Sequence, residues 1–282
     1  MGISGSPDST PRSGSHHAIA RCRELGIDAL EMAWVHSVAL KEEGGARVRA
    51  AAEQHGLRLS VHAPYYINLN SHDPVKLAGS KERIVAAGRA ASWAGARDVV
   101  LHLAYYHDDP PRDVHDRVTA ELVEARERLV EDLADPDASG VILRPEVMGR
   151  SSQYGDLDEI LDLCRRVPGT APCLDIAHLH ARTQRYNTSA EFDDMWDSYA
   201  DALGESALRD VHVHISGIAY GELGEKKHLP FEEADLDYEA FLGVMRDRGV
   251  EGLVVVESPA REDDVLLLAG VWRRLAGEAT AG

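Results

Sequence analysis

From end to end, the 282-residue chain alternates short runs rich in Val, Ile and Leu with longer amphipathic, charge-laced runs. Few folds accommodate that rhythm. A parallel strand needs a crossover that returns the chain to the same end of the sheet, and an amphipathic helix provides one while covering the sheet's face. The apolar runs predict strands over 2–4, 27–33, 57–63, 98–103, 141–147, 171–176, 210–215 and 253–257. The amphipathic runs predict helices over 13–25, 41–55, 73–94, 111–133, 156–166, 190–203, 237–248 and 262–275, with Gly56 at the C-cap of the second. Eight strands alternating with eight helices predict an α/β fold, one closed (β/α)8 barrel spanning residues 1–282 as a single domain. The one long irregular segment is 216–234, and a loop of that length in a compact domain is usually functional.

In such barrels the site lies at the C-terminal ends of the strands. Successive side chains point to opposite faces, so one parity of each strand lines the interior. In strand 57–63 the apolar residues take the other parity, leaving Arg58, Ser60 and His62 pointing inward. The next strands end their inward sets with His102, Glu146 and Asp175; strand 210–215 contributes His212 and His214, and the last strand Glu257. His178 follows Asp175 by three residues, and His228 lies in the long loop. A single histidine is more often a hydrogen-bonded structural residue than a ligand. Six successive strand ends delivering His, Asp or Glu to one rim are not explained that way, because so much negative charge needs a cation. Imidazoles and carboxylates without thiolates suit Zn²⁺, Mn²⁺ or Fe²⁺ in a cluster of ions.

The other polar residues read as structural. His212 lies a layer below His214 and is expected to support the site, and Arg58, Asp98 and Arg144 share one inward layer as a buried ion-pair group. His16, His17, His36, His55, His72, His107 and His115 fall on predicted loops or helix faces and read as solvated; His180 fits either reading. Cys22, Cys164 and Cys173 are odd in number and lack a CxxC spacing, so they read as reduced core residues. No apolar stretch reaches membrane-spanning length, and the start of the chain lacks the pattern of a secretory signal, so a soluble, cytoplasmic, monomeric protein is expected.

Three segments carry a resemblance. Val61-His62-Ala63-Pro64-Tyr65-Tyr66-Ile67-Asn68-Leu69, Cys173-Leu174-Asp175-Ile176-Ala177-His178 and Val254-Val255-Val256-Glu257-Ser258-Pro259 resemble the strand-three, DxxH and terminal-strand signatures of endonuclease IV. That family comprises metal-dependent apurinic/apyrimidinic endonucleases within the xylose-isomerase-like barrels, and the likeness covers nearly the whole chain. The resemblance implies a cofactor of two or three Zn²⁺ ions, with Mn²⁺ or Fe²⁺ as alternatives. His62, His102 and Glu146 would hold one ion. Glu146 would bridge to a second held by Asp175, His214 and Glu257, and His178 and His228 would hold a third. It implies attack by an ion-activated hydroxide on the phosphate 5′ to an abasic nucleotide, leaving a 3′-hydroxyl, with Glu146 and Glu257 as catalytic carboxylates. Tyr65 and Tyr66 would be substrate-binding residues wedged into double-stranded DNA, although both could equally pack in the rim.

Two positions depart from that pattern. Lys226 stands where the family carries an Asp two residues before the last His, with Glu225 beside it, and the segment 33–41 lacks the family's DNA-inserting Arg.

A net charge of −18 is unusual for a partner of DNA. It suits a cytoplasm of very high salt, where screening over about 3 Å at 1 M mutes repulsion from phosphate, or else an acidic enzyme with a small sugar substrate. The rival reading is therefore a single-metal sugar isomerase or epimerase of the same superfamily, using Glu146, Asp175, His214 and Glu257 around one ion. One ion per chain, a Lys226 turned away from the site and a narrow closed pocket would favour the isomerase. A broad groove with Tyr65 and Tyr66 exposed would favour DNA.

Overall fold

The computed structural model describes residues 1–133 and 140–277. The first strands are β1 (Gly2–Ser4), β2 (Ala29–Ala33), β3 (Arg58–His62) and β4 (Asp98–Leu101), each followed by a helix: α1 (Ser15–Leu25), α2 (Glu42–His55), α3 (Pro74–Ala94) and α4 (Pro111–Leu133). A short strand β5 (Ala104–Tyr105) precedes α4. The chain continues through β6 (Ile142–Pro145), β7 (Gln153–Tyr154), α5 (Leu157–Arg166), β8 (Cys173–Asp175), α6 (Ile176–Thr183) and α7 (Ser189–Leu203). It ends with β9 (Val211–Ile215), β10 (Gly217–Gly221), β11 (Gly224–Leu229), α8 (Tyr238–Arg248), β12 (Gly252–Val256) and α9 (Glu262–Leu275).

Eight parallel strands form one sheet in the order β6-β4-β3-β2-β1-β12-β9-β8. Bridges Leu143↔Thr170 and Glu146↔Cys173 join its two ends, so the sheet closes as the alternation predicts. Each predicted strand is present, though most are shorter than the apolar runs. His102 and Glu257 each lie directly after the last residue of their strands, at the rim. Gly56 caps α2 at φ 62°, a conformation glycine adopts without the steric cost of a Cβ.

Three features depart from the expectation. The segment 216–234 is not irregular: β10 and β11 pair there as an antiparallel hairpin. A further helix, α6, starts directly at the end of β8. A second small pairing, β5 with β7, lies over the loops that follow β4 and β6.

Most apolar side chains are buried between the strands and the helical ring. The barrel interior is divided by depth. Ala29, Leu253 and Val255 form a separate small apolar cluster. Arg58, Asp98 and Arg144 make the expected ionic layer, with Asp98 accepting from Arg58 at 2.8 Å and from Arg144 at 2.7 Å. Above that layer the inward side chains are polar up to the rim.

Candidate metal centre

Glu146 sits at the middle of the rim, fully buried, and its two carboxylate oxygens face opposite ways. Oε2 lies 3.2 Å from His62 Nε2 and 2.8 Å from His102 Nε2. Oε1 lies 3.4 Å from both His178 Nδ1 and His214 Nδ1. Three donor groups result at the rim: His62, His102 and Glu146; Glu146, Asp175, His214 and Glu257; and Asp175, His178 and His228, with the atoms of each set within 4.8 Å of one another, and a further set, Cys173, His212 and His214, shares His214 with the second. All eight residues anticipated as ligands thus converge. Glu146 is shared by the first two groups and Asp175 by the second and third.

Local structure explains the convergence. Parity on β3 and β9 brings His62 and His214 inward, while Glu257 continues the β12 ladder through its N–H to the Ile215 carbonyl. Asp175 ends β8 and also caps α6, accepting the His178 backbone N–H at 2.7 Å. The DxxH spacing is therefore an N-cap and the third residue of the helix it starts, which sets both side chains side by side. The hairpin delivers His228.

The hydrogen bonds around the imidazoles fix what they can bind. His62 donates from Nδ1 to the Ala63 carbonyl, His178 to Val147 and His228 to Glu257. With Nδ1 protonated, Nε2 of each neutral ring carries a lone pair. Those lone pairs face a carboxylate at Glu146 in the case of His62, and one another across 3.3 Å in the case of His178 and His228. Lone pairs opposed in this way need a proton or a metal cation between them, and a backbone carbonyl behind each ring is the usual setting of a metal ligand. Buried Glu146 Oε1, Asp175 Oδ2 and His214 Nδ1 have no hydrogen-bond partner among the described residues. The donor set fits divalent ions.

The charges are strained without them. Burial raises Asp175 above its ordinary range, and the nearby Glu146 carboxylate adds to the shift. Burial also opposes ionisation of Glu257, but His214 overrides it and brings that carboxyl down to about 2.

One residue of the cluster was not anticipated. Glu31 on β2 is completely buried, accepts from Ser60 at 2.8 Å and His212 at 3.1 Å, and lies 3.0 Å from His214 Nε2, a contact not aligned as a hydrogen bond. Its signal was present in the alternation of Ala29, Glu31 and Ala33 against Leu30 and Met32. His212 supports the site from below through Glu31, as expected. His115 differs from its solvated reading, and His180, which fitted either reading, is structural. His115 is held between the Tyr154 hydroxyl at 2.8 Å and Asp162 at 2.9 Å, and His180 is buried with Nδ1 on the Arg185 carbonyl.

Lys226 is the extra residue of a β-bulge. Tyr220 pairs with Glu225 and Ala219 with Lys227, so Lys226 has no opposite number and its side chain runs across Gly221. The bulge restores a common face to Glu225 and His228. Glu225 Oε2 lies 3.6 Å from His178 Nε2. Glu225→Ala is therefore expected to weaken the ion held at His178 and His228 by roughly tenfold or more, whereas Lys226→Ala leaves it unchanged. Metal titration of both variants checks this; equal affinities would remove Glu225 from the site.

The cluster opens into a cavity of about 470 Å³ walled by Tyr65, Tyr105, Met148 and Gln153. Tyr65 is 41% exposed and packs its ring 5.1 Å from those of both His62 and His102, while Tyr66 is 60% exposed.

Residues 19–275 match the Xylose isomerase-like TIM barrel family. The chain belongs to that family. Among its relatives, the uncharacterized protein MJ0133 of Methanocaldococcus jannaschii is 32% identical over 92% of each chain. A probable endonuclease 4 of Halorhodospira halophila is 26% identical over 88% of this chain and 85% of its own. Among solved structures, endonuclease IV from Thermus thermophilus superposes with a TM-score of 0.72 at 20% identity, covering 99% of both chains. A D-tagatose 3-epimerase-like protein also scores 0.72, at 17% identity over 98% of this chain and 96% of that one. The likeness to endonuclease IV expected from the three motifs is thus present in both sequence and fold. The family model, the relatives and the His, Asp and Glu groups at the rim support an enzyme and point to a divalent metal. Among the described residues, no helix is long and apolar enough to cross a membrane.

Proposed function

We propose that the protein is a metal-dependent phosphodiesterase that cleaves double-stranded DNA 5′ to abasic sites. The observation that carries this reading is Glu146 with one oxygen turned to His62 and His102 and the other to His178 and His214. A single-ion sugar enzyme has a use for Glu146, Asp175, His214 and Glu257 but none for His62, His102 and His228. Three adjoining donor groups instead match a phosphodiester, whose attacking, leaving and equatorial oxygens all need positive charge.

In this reading His62, His102 and Glu146 hold one ion; Glu146, Asp175, His214 and Glu257 a second; and His178 and His228 a third. Bound zinc, or manganese or iron in its place, supplies Lewis acidity and hydroxide at neutral pH. The chain's own part is to present Glu146 to two donor groups at once and to orient the imidazoles through backbone carbonyls. Glu257 lines the cavity, its carboxylate kept ionised by His214 against the cost of burial, and would be the second catalytic carboxylate. Tyr65 is braced by two imidazoles, whereas Tyr66 projects from the rim where a planar ring can enter a groove of DNA. The sequence relationship to a probable endonuclease 4 supports the same assignment.

Lys226, turned away from the donors, favours the second reading, a sugar isomerase or epimerase. Exposed Tyr65 and Tyr66 favour DNA. The deciding experiment is incision of a duplex bearing one synthetic abasic site, with Zn²⁺ or Mn²⁺, at both low and molar KCl. A nick 5′ to the lesion with a 3′-hydroxyl is expected. Folded, metal-loaded protein that leaves the duplex intact at every salt, yet interconverts ketose epimers, would establish the sugar enzyme instead.

A further inference from the structure

Beside the metal cavity, and sharing Tyr65 and Tyr105 with it as a common wall, lies a second groove of about 600 Å³. It runs between the segment 65–71 and the outer face of α3. Three properties set it apart from the rest of the surface.

The first is charge. Asp and Glu outnumber Lys and Arg by 48 to 30, yet no acidic residue lines this groove, while Lys76 and Arg83 both do. Neither cation has an ion-pair partner among the described residues, in a chain whose arginines are mostly paired. Seven residues apart on α3, they stand on one helix face two turns from each other. Salt bridges elsewhere consume the positive charge; here it is left facing open space.

The second is the floor. Gly79 lies between the two cations in mid-helix, where glycine is disfavoured against almost any other residue. A Cβ at this position would come within 3.2 Å of the Arg83 guanidinium. The missing side chain lets Arg83 lie along the helix and keeps the groove open beside Lys76.

The third is the wall. Among the described residues the exposed large hydrophobics are few, and Tyr65, Tyr66, Val75 and Tyr105 all border this groove. Flat rings and unpaired cations without carboxylates form a surface that takes an anionic chain carrying flat bases, in which aromatic faces stack and the cations meet phosphates.

We infer that this groove binds the DNA strand flanking the reacting phosphodiester, with Lys76 and Arg83 on successive backbone phosphates and Tyr66 and Tyr105 against the neighbouring sugar and base. The inference rests on the DNA reading of the metal centre. It adds a site that the ligand cluster does not require, and it locates on an acidic protein the place where a polyanion is received.

The test is fluorescence anisotropy with metal-loaded protein and a duplex already nicked at a single abasic-site analogue, so that cleavage does not disturb binding. Lys76→Ala/Arg83→Ala is expected to weaken binding roughly tenfold at about 50 mM salt and to make the slope of log K against log salt shallower by about two. Gly79→Glu, which a helix favours over glycine and which puts a carboxylate on the groove floor, is expected to weaken binding without lowering thermal stability or metal content. If the wild type incises abasic duplex but both variants bind with wild-type affinity and salt slope, the groove is not the strand's path and the endonuclease reading stands. If the wild type binds no duplex at any salt, both fall together.

Discussion

Glu146→Gln is expected to abolish function at its root, lowering metal-dependent turnover on the order of 10³-fold or more and releasing the ion from at least one of the two donor groups that share it. The geometry sets the size of the effect. Each Glu146 oxygen serves a different group, so an amide in its place leaves at least one group with a nitrogen that cannot ligate. Metal ions at a phosphoryl centre supply several kcal/mol of transition-state stabilisation, and each 1.4 kcal/mol or so is tenfold in rate. Metal analysis of the purified variant beside wild type gives a readout that does not depend on substrate. A variant that retained its full metal content and turned over within tenfold of wild type would show that Glu146 is not the shared ligand.

Arg144→Met is expected to cost about 3–5 kcal/mol of folding stability, the largest effect of any change outside the metal cluster. Arg144 is wholly buried and donates to Asp98 at 2.7 Å. Burial works against ionising Asp98, yet His212 and Arg144 hold its carboxyl well below the usual range. Removing the guanidinium leaves that carboxylate in the barrel interior with Arg58, itself partly exposed, as its remaining close cation. Urea unfolding of the metal-free proteins isolates the effect from ligand binding. A loss under about 1 kcal/mol would mean that solvent or a rearranged Arg58 compensates Asp98, and that the layer is ornamental to stability.

The fold was legible because parallel sheets demand their crossovers, and the alternation of runs counts them directly. The site was legible for a related reason: a strand's inward parity is fixed by its apolar residues, so His62, His214 and Glu257 declare their direction. Where no regular period exists the reading stopped. The hairpin 217–229 reads as loop in the sequence because its bulge at Lys226 breaks the strand alternation, and without the bulge Glu225 and His228 do not share a face. Helix α6 escaped notice because its eight residues, including His178 and His180, carry no apolar stripe against an exposed face; they are almost all buried. Glu31 was missed although its parity was readable, since a lone carboxylate among Ala, Leu and Met attracts attention only once the histidines that meet it are known. His115 shows the reverse limit, a helix-face residue whose partners lie on other elements.

The closing bridges of the sheet carry a mechanical consequence. Seven of the eight joints between neighbouring strands are continuous ladders, but β6 and β8 meet only at Leu143↔Thr170 and Glu146↔Cys173. The cylinder is thus most easily parted along one seam, and Glu146 stands on one lip of it with Asp175 on the other. An ion clasped by both carboxylates would act as a rivet, adding a tension-bearing link to the few backbone hydrogen bonds that cross there. Loading the centre with metal then does more than arm it for chemistry: it finishes the barrel.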